Sequence, residues 1–264
     1  IDRALGGKAL ALASDTAVVR ALIERLKDED ADVRQAAADA LGRIGNPMAI
    51  PELVKVLDDP QPDVQEAALD ALAHFEHGVP AAPVQRMLGS ANADMRQRAI
   101  DILMNMHSMA SLPAISGLVA DVDADVRQSA IQAIQEMGSP SAAGSVMPAL
   151  DDRDADVRQA AVEALSQLGG AISDAALDKL LQDADANVRQ ATVEYISERR
   201  VTSKTAQLIT LLDDRSGDVR QAAAEALTEI RTPESHAALR RALTNSDPDV
   251  RRTAVQYFGD ESDQ

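Results

Sequence analysis

The dipeptide Val33-Arg34 returns every 31 residues, intact or lightly altered, as Val64-Gln65, Met95-Arg96, Val126-Arg127, Val157-Arg158, Val188-Arg189, Val219-Arg220 and Val250-Arg251. No insertion or deletion disturbs the step. Self-similarity at a fixed period of this size marks a repeat array, and it limits the possible folds more than any other feature of the chain. The 264 residues divide into units 1–31, 32–62, 63–93, 94–124, 125–155, 156–186, 187–217 and 218–248, with a half unit 249–264.

Each unit reads as two helices. In residues 30–57, Asp30 is placed to cap the first, since its carboxylate can accept from free N–H groups of the first turn; such a cap is worth about 1 kcal/mol. The same column holds Gln61, Asn92, Asp123, Asp154, Asp185, Ser216 and Asp247. Pro62 and Pro248 stand in the next column, where a first turn tolerates proline, and Asp32 meets the positive end of the helix dipole. Val33, Ala37, Leu41 and Ile44 then trace one helical face. Gly45, Gly138 and Gly169 end the first helix, and Asn46-Pro47, Ser139-Pro140 and Thr232-Pro233 begin the second. Ile50, Leu53, Val54 and Leu57 form its apolar face, and the Leu57 column recurs as Leu26, Leu88, Val119, Leu150, Leu181, Leu212 and Leu243. No stretch alternates with period two long enough for a strand.

So short a helix pair cannot bury its apolar face alone, but stacked on like neighbours it can. The prediction is an all-α protein: an α-solenoid, or superhelix, of stacked antiparallel helix pairs forming a single repeat domain over 1–264. Small residues such as Ala36, Ala37 and Ala40 let helices approach closely, which suits a chain with 2% aromatic residues and no Trp.

Composition removes several kinds of chemistry. With no Cys there are no disulfides, thiolate metal sites or Cys nucleophiles, though this does not choose a compartment. Twenty-six basic against 43 acidic residues leave −17, which opposes phosphate binding, so nucleic acid is not an expected partner. No apolar run reaches the length of a membrane span, and no signal peptide is visible. The first residue is Ile1 rather than Met, so a fragment or processed product is expected, with room for another domain N-terminal to residue 1.

The pattern D-x-D-V-R-x-A-A-x-x-A-L in the first helix, seen at 30–41, resembles HEAT repeats. The gap-free 31-residue form is similar to the subclass named after phycobilisome lyases. The resemblance covers the whole chain. It implies that the second helices line a concave face. It also implies a ladder in which Arg34, Arg96, Arg127, Arg158, Arg189, Arg220 and Arg251 pair with an Asp column, here Asp28, Asp59, Asp121, Asp152, Asp183 and Asp214. The columns depart at Gln65, Ser90 and Asn245.

Enzymes built on such repeats supply tests. Deoxyhypusine hydroxylase resembles this repeat type and holds iron with His-Glu dipeptides; none occurs here, as His74, His77, His107 and His236 all precede other residues. DNA glycosylases of this architecture need a basic concave face. His74, Glu76 and His77 have one metal-capable spacing, but they sit at a helix end, where histidines are favourable without a metal. There is no phosphate-binding glycine loop, and no serine is set apart as a nucleophile. The reading carries no catalytic residue, metal or cofactor.

What remains is a partner surface. The second helices of units 63–93, 94–124 and 125–155 read VPAAPVQRMLGS, SMASLPAISGLVA and SPSAAGSVMPAL, and Arg86 is their one charged residue. Seven of the eight methionines fall between residues 87 and 147, and Met suits adaptable binding surfaces. Met95, Met106 and Met137 occupy core columns, whereas Met104 and Met109 stand in columns expected to be exposed. The expectation is a groove near residues 79–148 taking a protein or peptide partner, with Ala82, Arg86, Met109, Ala114, Gly117 and Met147 as contacts. The alternative, from the family resemblance, is a bilin-binding lyase subunit or its chaperone-like partner. A designed array is a third, opposed by the irregular second helices. Two other departures stand out. In YISERRVTSKT, 195–205, Arg199 takes an apolar column, so either a loosened layer is expected or Arg199 reaches a partner or a carboxylate. The N-terminal stretch IDRALGGKALALA is apolar with a weak helix at Gly6-Gly7, while the C-terminal YFGDESDQ reads as a polar finish with Tyr257 and Phe258 sealing the last layer.

Overall fold

The structure, a computed structural model, describes residues 16–262. Every regular element among them is helical. The chain is an α-solenoid of helix pairs, and it divides into two compact units, residues 1–137 and 138–264.

The N-terminal unit contains α1 (Thr16–Arg25), α2 (Ala31–Ile44), α3 (Ile50–Val56), α4 (Pro62–Ala73), α5 (Ala81–Met87), α6 (Ala93–Asn105), α7 (Leu112–Gly117) and α8 (Ala124–Glu136). The long first helices α2, α4, α6 and α8 pack in sequence, and each short second helix packs on the next first helix. The C-terminal unit repeats the scheme with α9 (Ala143–Val146), α10 (Ala155–Leu168), α11 (Asp174–Leu180), α12 (Ala186–Glu198), α13 (Thr205–Leu211), α14 (Gly217–Ile230), α15 (Pro233–Ala242) and α16 (Pro248–Ser262).

Local chemistry explains the helix ends. Asp30, Asn92, Asp123, Asp154, Asp185 and Asp247 each accept a backbone N–H from the first turn that follows. Gln61 and Ser216 make no such bond. Gln61 carries one methylene more than the asparagine that favours this position; the structure offers no reason for Ser216. Gly45, Gly138 and Gly169 close their helices at φ of 66°, 65° and 79°. Their column also holds His107, Arg200 and Arg231 at 48°, 50° and 51°, where a side chain costs about 1–2 kcal/mol. Unit 63–93 breaks this rule. Helix α4 stops at Ala73, Phe75 turns into the core, and positive φ falls on Gly78 rather than Glu76.

Several expected core positions are corrected. Val33 is 37% exposed, whereas Val64, Met95, Val126, Val157, Val188, Val219 and Val250 are buried; the unit before Val33 is described only from residue 16. Leu243 is likewise 37% exposed. Val54 is half-buried and Val56 is buried in its stead, while Met106 and Met137 are half-buried beside a buried Met95. The N-terminal apolar stretch and its Gly6-Gly7 lie outside the described residues. At the other end Tyr257 is buried, and His236, Tyr257 and Phe258 meet edge to face.

The expected loosening around Arg199 is also overturned. Arg199 is exposed and folds back over the Tyr195 ring, 5.7 Å from its centroid. The Tyr195 hydroxyl accepts from Ile172 N and donates to Gly170 O, both at 2.9 Å. Lys204 is buried, and its Nζ donates to Asp178 Oδ1 at 2.7 Å and to Asp174 O at 2.9 Å. This layer is tied by buried hydrogen bonds.

Two second helices are short. Helix α7 passes into a 3-10 turn at Leu118–Ala120, and α9 lasts four residues before the 3-10 segment Met147–Asp151. Gly117 and Gly144 lower helix propensity, and Pro148 has no N–H to give the Gly144 carbonyl. By contrast α15 runs ten residues, with Glu234 in its first turn and Arg240 and Arg241 in its last, complementing the dipole.

Candidate functional site

Two features were candidates for function: the Arg/Asp columns and the second-helix face of residues 79–148.

The columns meet at the loops between units. Arg34 donates from Nε and Nη2 to the Asp59 carboxylate at 2.7 and 3.0 Å. Arg158 does the same to Asp183 at 2.8 and 2.7 Å, and Arg189 to Asp214 at 2.9 and 2.6 Å. Such bidentate pairing fixes both distance and orientation. Arg96 reaches Asp121 through Nη2 alone, at 2.7 Å. Arg220 passes over the neutral Asn245 and binds the cap residue Asp247, with Nε at 2.7 Å. These pairs lie largely out of solvent, with Arg189 and Asp214 at 4% and 8% side-chain exposure.

Sequence reasoning missed the other half of each rung. Every Arg in the column also donates from Nη1 to the carbonyl six residues before it: Arg34 to Asp28, Arg96 to Ser90, Arg127 to Asp121, Arg158 to Asp152, Arg189 to Asp183, Arg220 to Asp214 and Arg251 to Asn245. Gln65 keeps this bond, with Nε2 2.7 Å from Asp59 O. The constant offset of six between the two columns was the available signal. The Asp column has a second task as well. Asp28, Asp59, Asp121, Asp152, Asp183 and Asp214 each accept the backbone N–H two residues on, bracing the turn into the next first helix. Asp28 further pairs with Arg25 at 3.0 Å.

The carboxylates titrate accordingly. The Arg34 hydrogen bond, opposed by burial, holds Asp59 below its ordinary pKa. For Asp121, Asp183 and Asp214 burial pushes upward, but the Arg hydrogen bond, the backbone N–H and the Arg charges together outweigh it, so each lies low. Asp247 is held down first by Arg220.

Gln65 and Ser90 fall in one rung, 25 residues apart like the pairs of Arg34, Arg96, Arg158 and Arg189. The Ser90 hydroxyl accepts from Asn92 N at 3.2 Å, and the rung carries no charge.

On the second-helix face, Ala82, Arg86, Ala114 and Gly117 are exposed and Met109 is 51% exposed. Arg86 is engaged by Asp58 at 3.1 Å. A relay positions Met109: Gln85 Nε2 donates to the buried Ser111 hydroxyl at 2.7 Å, and Ser111 donates to Ser108 Oγ at 2.7 Å. Around Gly117 a Cβ would meet nothing within 4 Å, so the face there is open. Met147 is half-buried in the C-terminal unit. Among the described residues no cluster of His, Asp and Glu could hold a metal; His74 donates from Nδ1 to Asp70 O at 2.8 Å. Nor, among them, is any helix long and apolar enough to cross a membrane.

A family model described as HEAT repeats matches residues 2–73, 50–134, 81–166, 112–197 and 172–259. No curated protein sequence matches the chain. Among solved structures, the E. coli protein YibA is similar at 19% identity and a TM-score of 0.67, over 97% of this chain and 96% of that one. An engineered protein matches at 20% identity and a TM-score of 0.57, over 94% and 79%. A structure of Kap95p with RanGDP contributes a match at 13% identity and a TM-score of 0.69, over 94% of this chain and 40% of that one. At these identities the likeness is one of fold.

Proposed function

The chain belongs to the HEAT-repeat family, and from that premise we propose that it is a non-enzymatic protein-interaction scaffold that takes a protein or peptide partner on its second-helix face. One observation carries the reading: residues 109–120 contain no charged side chain, yet present Met109, Ala114 and Gly117 to solvent in a chain of net charge −17. An exposed, weakly polar face with an adaptable Met is suited to apolar anchors of a partner. Ala82 and Arg86 extend it along α5. The Arg/Asp columns serve stacking in this reading and touch no partner.

Photo-crosslinking tests it. A photoreactive residue at Met109 should capture a defined partner, and Ala114→Glu and Gly117→Glu should each weaken that partner at least about tenfold with the melting curve unchanged. Both side chains would enter open solvent, so an effect on binding alone is expected. Undiminished binding in both variants would place the partner elsewhere.

A further inference from the structure

We propose that unit 63–93 is a hinge within the N-terminal compact unit, with a stiffness set by ionic strength. The inference goes beyond the interaction reading and does not depend on it.

Three features meet where α4 of this unit packs on α6 of the next. The first is the neutral rung. Gln65 retains the carbonyl bond to Asp59 O, but Ser90 offers no carboxylate, so no ion pair joins the loop before α4 to the loop before α6. The second is Arg98. Its column holds Ala67, Ser129, Ala160, Ala191 and Ala222 elsewhere, small residues in the seam between first helices. Here the guanidinium reaches from α6 back to α4, donating to Glu66 Oε1 at 2.8 Å and to Asp70. The third is an open cleft of about 290 Å³ at the C-terminal ends of α4 and α6, lined by Leu72, Phe75, Val79, Ile102 and Met106 with His74, Glu76 and Asn105; smaller clefts of about 230 and 170 Å³ lie between α14 and α16 and between α10 and α12. The larger cleft lies where α4 stops two positions earlier than α2 does in its own unit.

These features act in one direction. The open cleft reduces the apolar surface that the ends of α4 and α6 share, so this junction is held by fewer buried contacts. The charged ties that remain in this unit face solvent: Arg98 holds α6 to α4, and Arg86 holds α5 to Asp58 in the loop before α4. Arg98 is 38% exposed, against 8% for Arg96 in the next rung. Exposed pairs are screened as the Debye length falls from about 10 Å at 0.1 M salt to about 3 Å at 1 M, while buried pairs are screened much less. Added salt therefore loosens this layer selectively and leaves the rungs of Arg34, Arg158 and Arg189 in place.

Hydrogen exchange on the full chain, at about 0.02 M and about 1 M sodium chloride, tests the proposal. Amides of α4 and α5 should exchange about tenfold faster at high salt, with less than about a twofold change in α2, α12 and α14. The double variant Gln65→Arg/Ser90→Asp should slow exchange in α4 and α5 and abolish most of the salt response. Arg98→Ala, which needs no new packing, should give at low salt the exchange that the parent shows at high salt. Equal protection of α4 and α2 at both salts, or an Arg98→Ala variant with unchanged low-salt exchange, overturns the hinge.

Discussion

The rung of Arg189 and Asp214 and the rung of Gln65 and Ser90 occupy equivalent places in the repeat and solve the same problem differently. Both donate to the carbonyl six residues back, and both accept the N–H that starts the next first helix. Only the first adds a buried, bidentate ion pair. Helix pairs stack in both places, so stacking rests on the apolar columns and the backbone bonds, with the charges adding rigidity and register. This accords with the energetics of buried pairs, whose desolvation offsets most of their attraction while the loss of one partner is severe.

The largest effect should come from breaking the charged rung. Asp214→Ala leaves Arg189 buried without its carboxylate and should cost about 3–5 kcal/mol in urea unfolding of the C-terminal unit. Installing the neutral rung there, with Arg189→Gln/Asp214→Ser, should cost only about 1 kcal/mol. A double variant as damaged as Asp214→Ala would mean that the two rungs are not alternatives.

A pair in which only the cation is buried provides a check of intermediate size. Lys204→Met removes the charge facing Asp178 and should shift stability by no more than about 1–2 kcal/mol, because an apolar side chain of similar length replaces a desolvated ion. A much larger loss would show that buried cations in this array are indispensable, against the lesson of Gln65.

Acid separates the rungs without a large change at neutral pH. Asp59, Asp121, Asp183 and Asp214 are depressed in the folded state, so their contribution is complete above the unfolded carboxylate value of about 4 and is lost as pH falls through the folded values. The midpoint of thermal unfolding should be flat down to about pH 5 and drop below about pH 4. The Arg189→Gln/Asp214→Ser variant should drop less steeply, since its rung has nothing to titrate. The smallest effect concerns the opposite edge of the repeat. His107→Gly relieves a left-handed residue and should stabilise by about 0.5–1 kcal/mol, while hydrogen exchange in α4 stays as it was.

Much of this was legible beforehand, for reasons that are local. The Asp30 column caps, except at Gln61 and Ser216, because the first turn lacks acceptors for its N–H groups. The Leu57 column is buried, except at Leu243, because a short amphipathic helix must be covered. Gly45, Gly138 and Gly169 mark turns that need positive φ. On the second-helix face the expected exposure holds for Met109, whereas Met104, expected exposed as well, is half-buried, and the relay through Gln85, Ser111 and Ser108 had no repeating signal.

By itself the sequence determined the period, the helix pairs, the identity of the stacking columns and the absence of thiol chemistry, because each depends on residues within one turn or one repeat. Tertiary structure alone decided which side chains meet. Arg220 reaches Asp247 rather than Asn245, Lys204 is buried against Asp178, Arg199 folds over Tyr195, and Gln65 donates to Asp59 O while Ser90 takes the N–H of Asn92. Those outcomes turn on the reach of long side chains across neighbouring layers and on how closely the layers pack, and neither is written in the pattern of any single repeat.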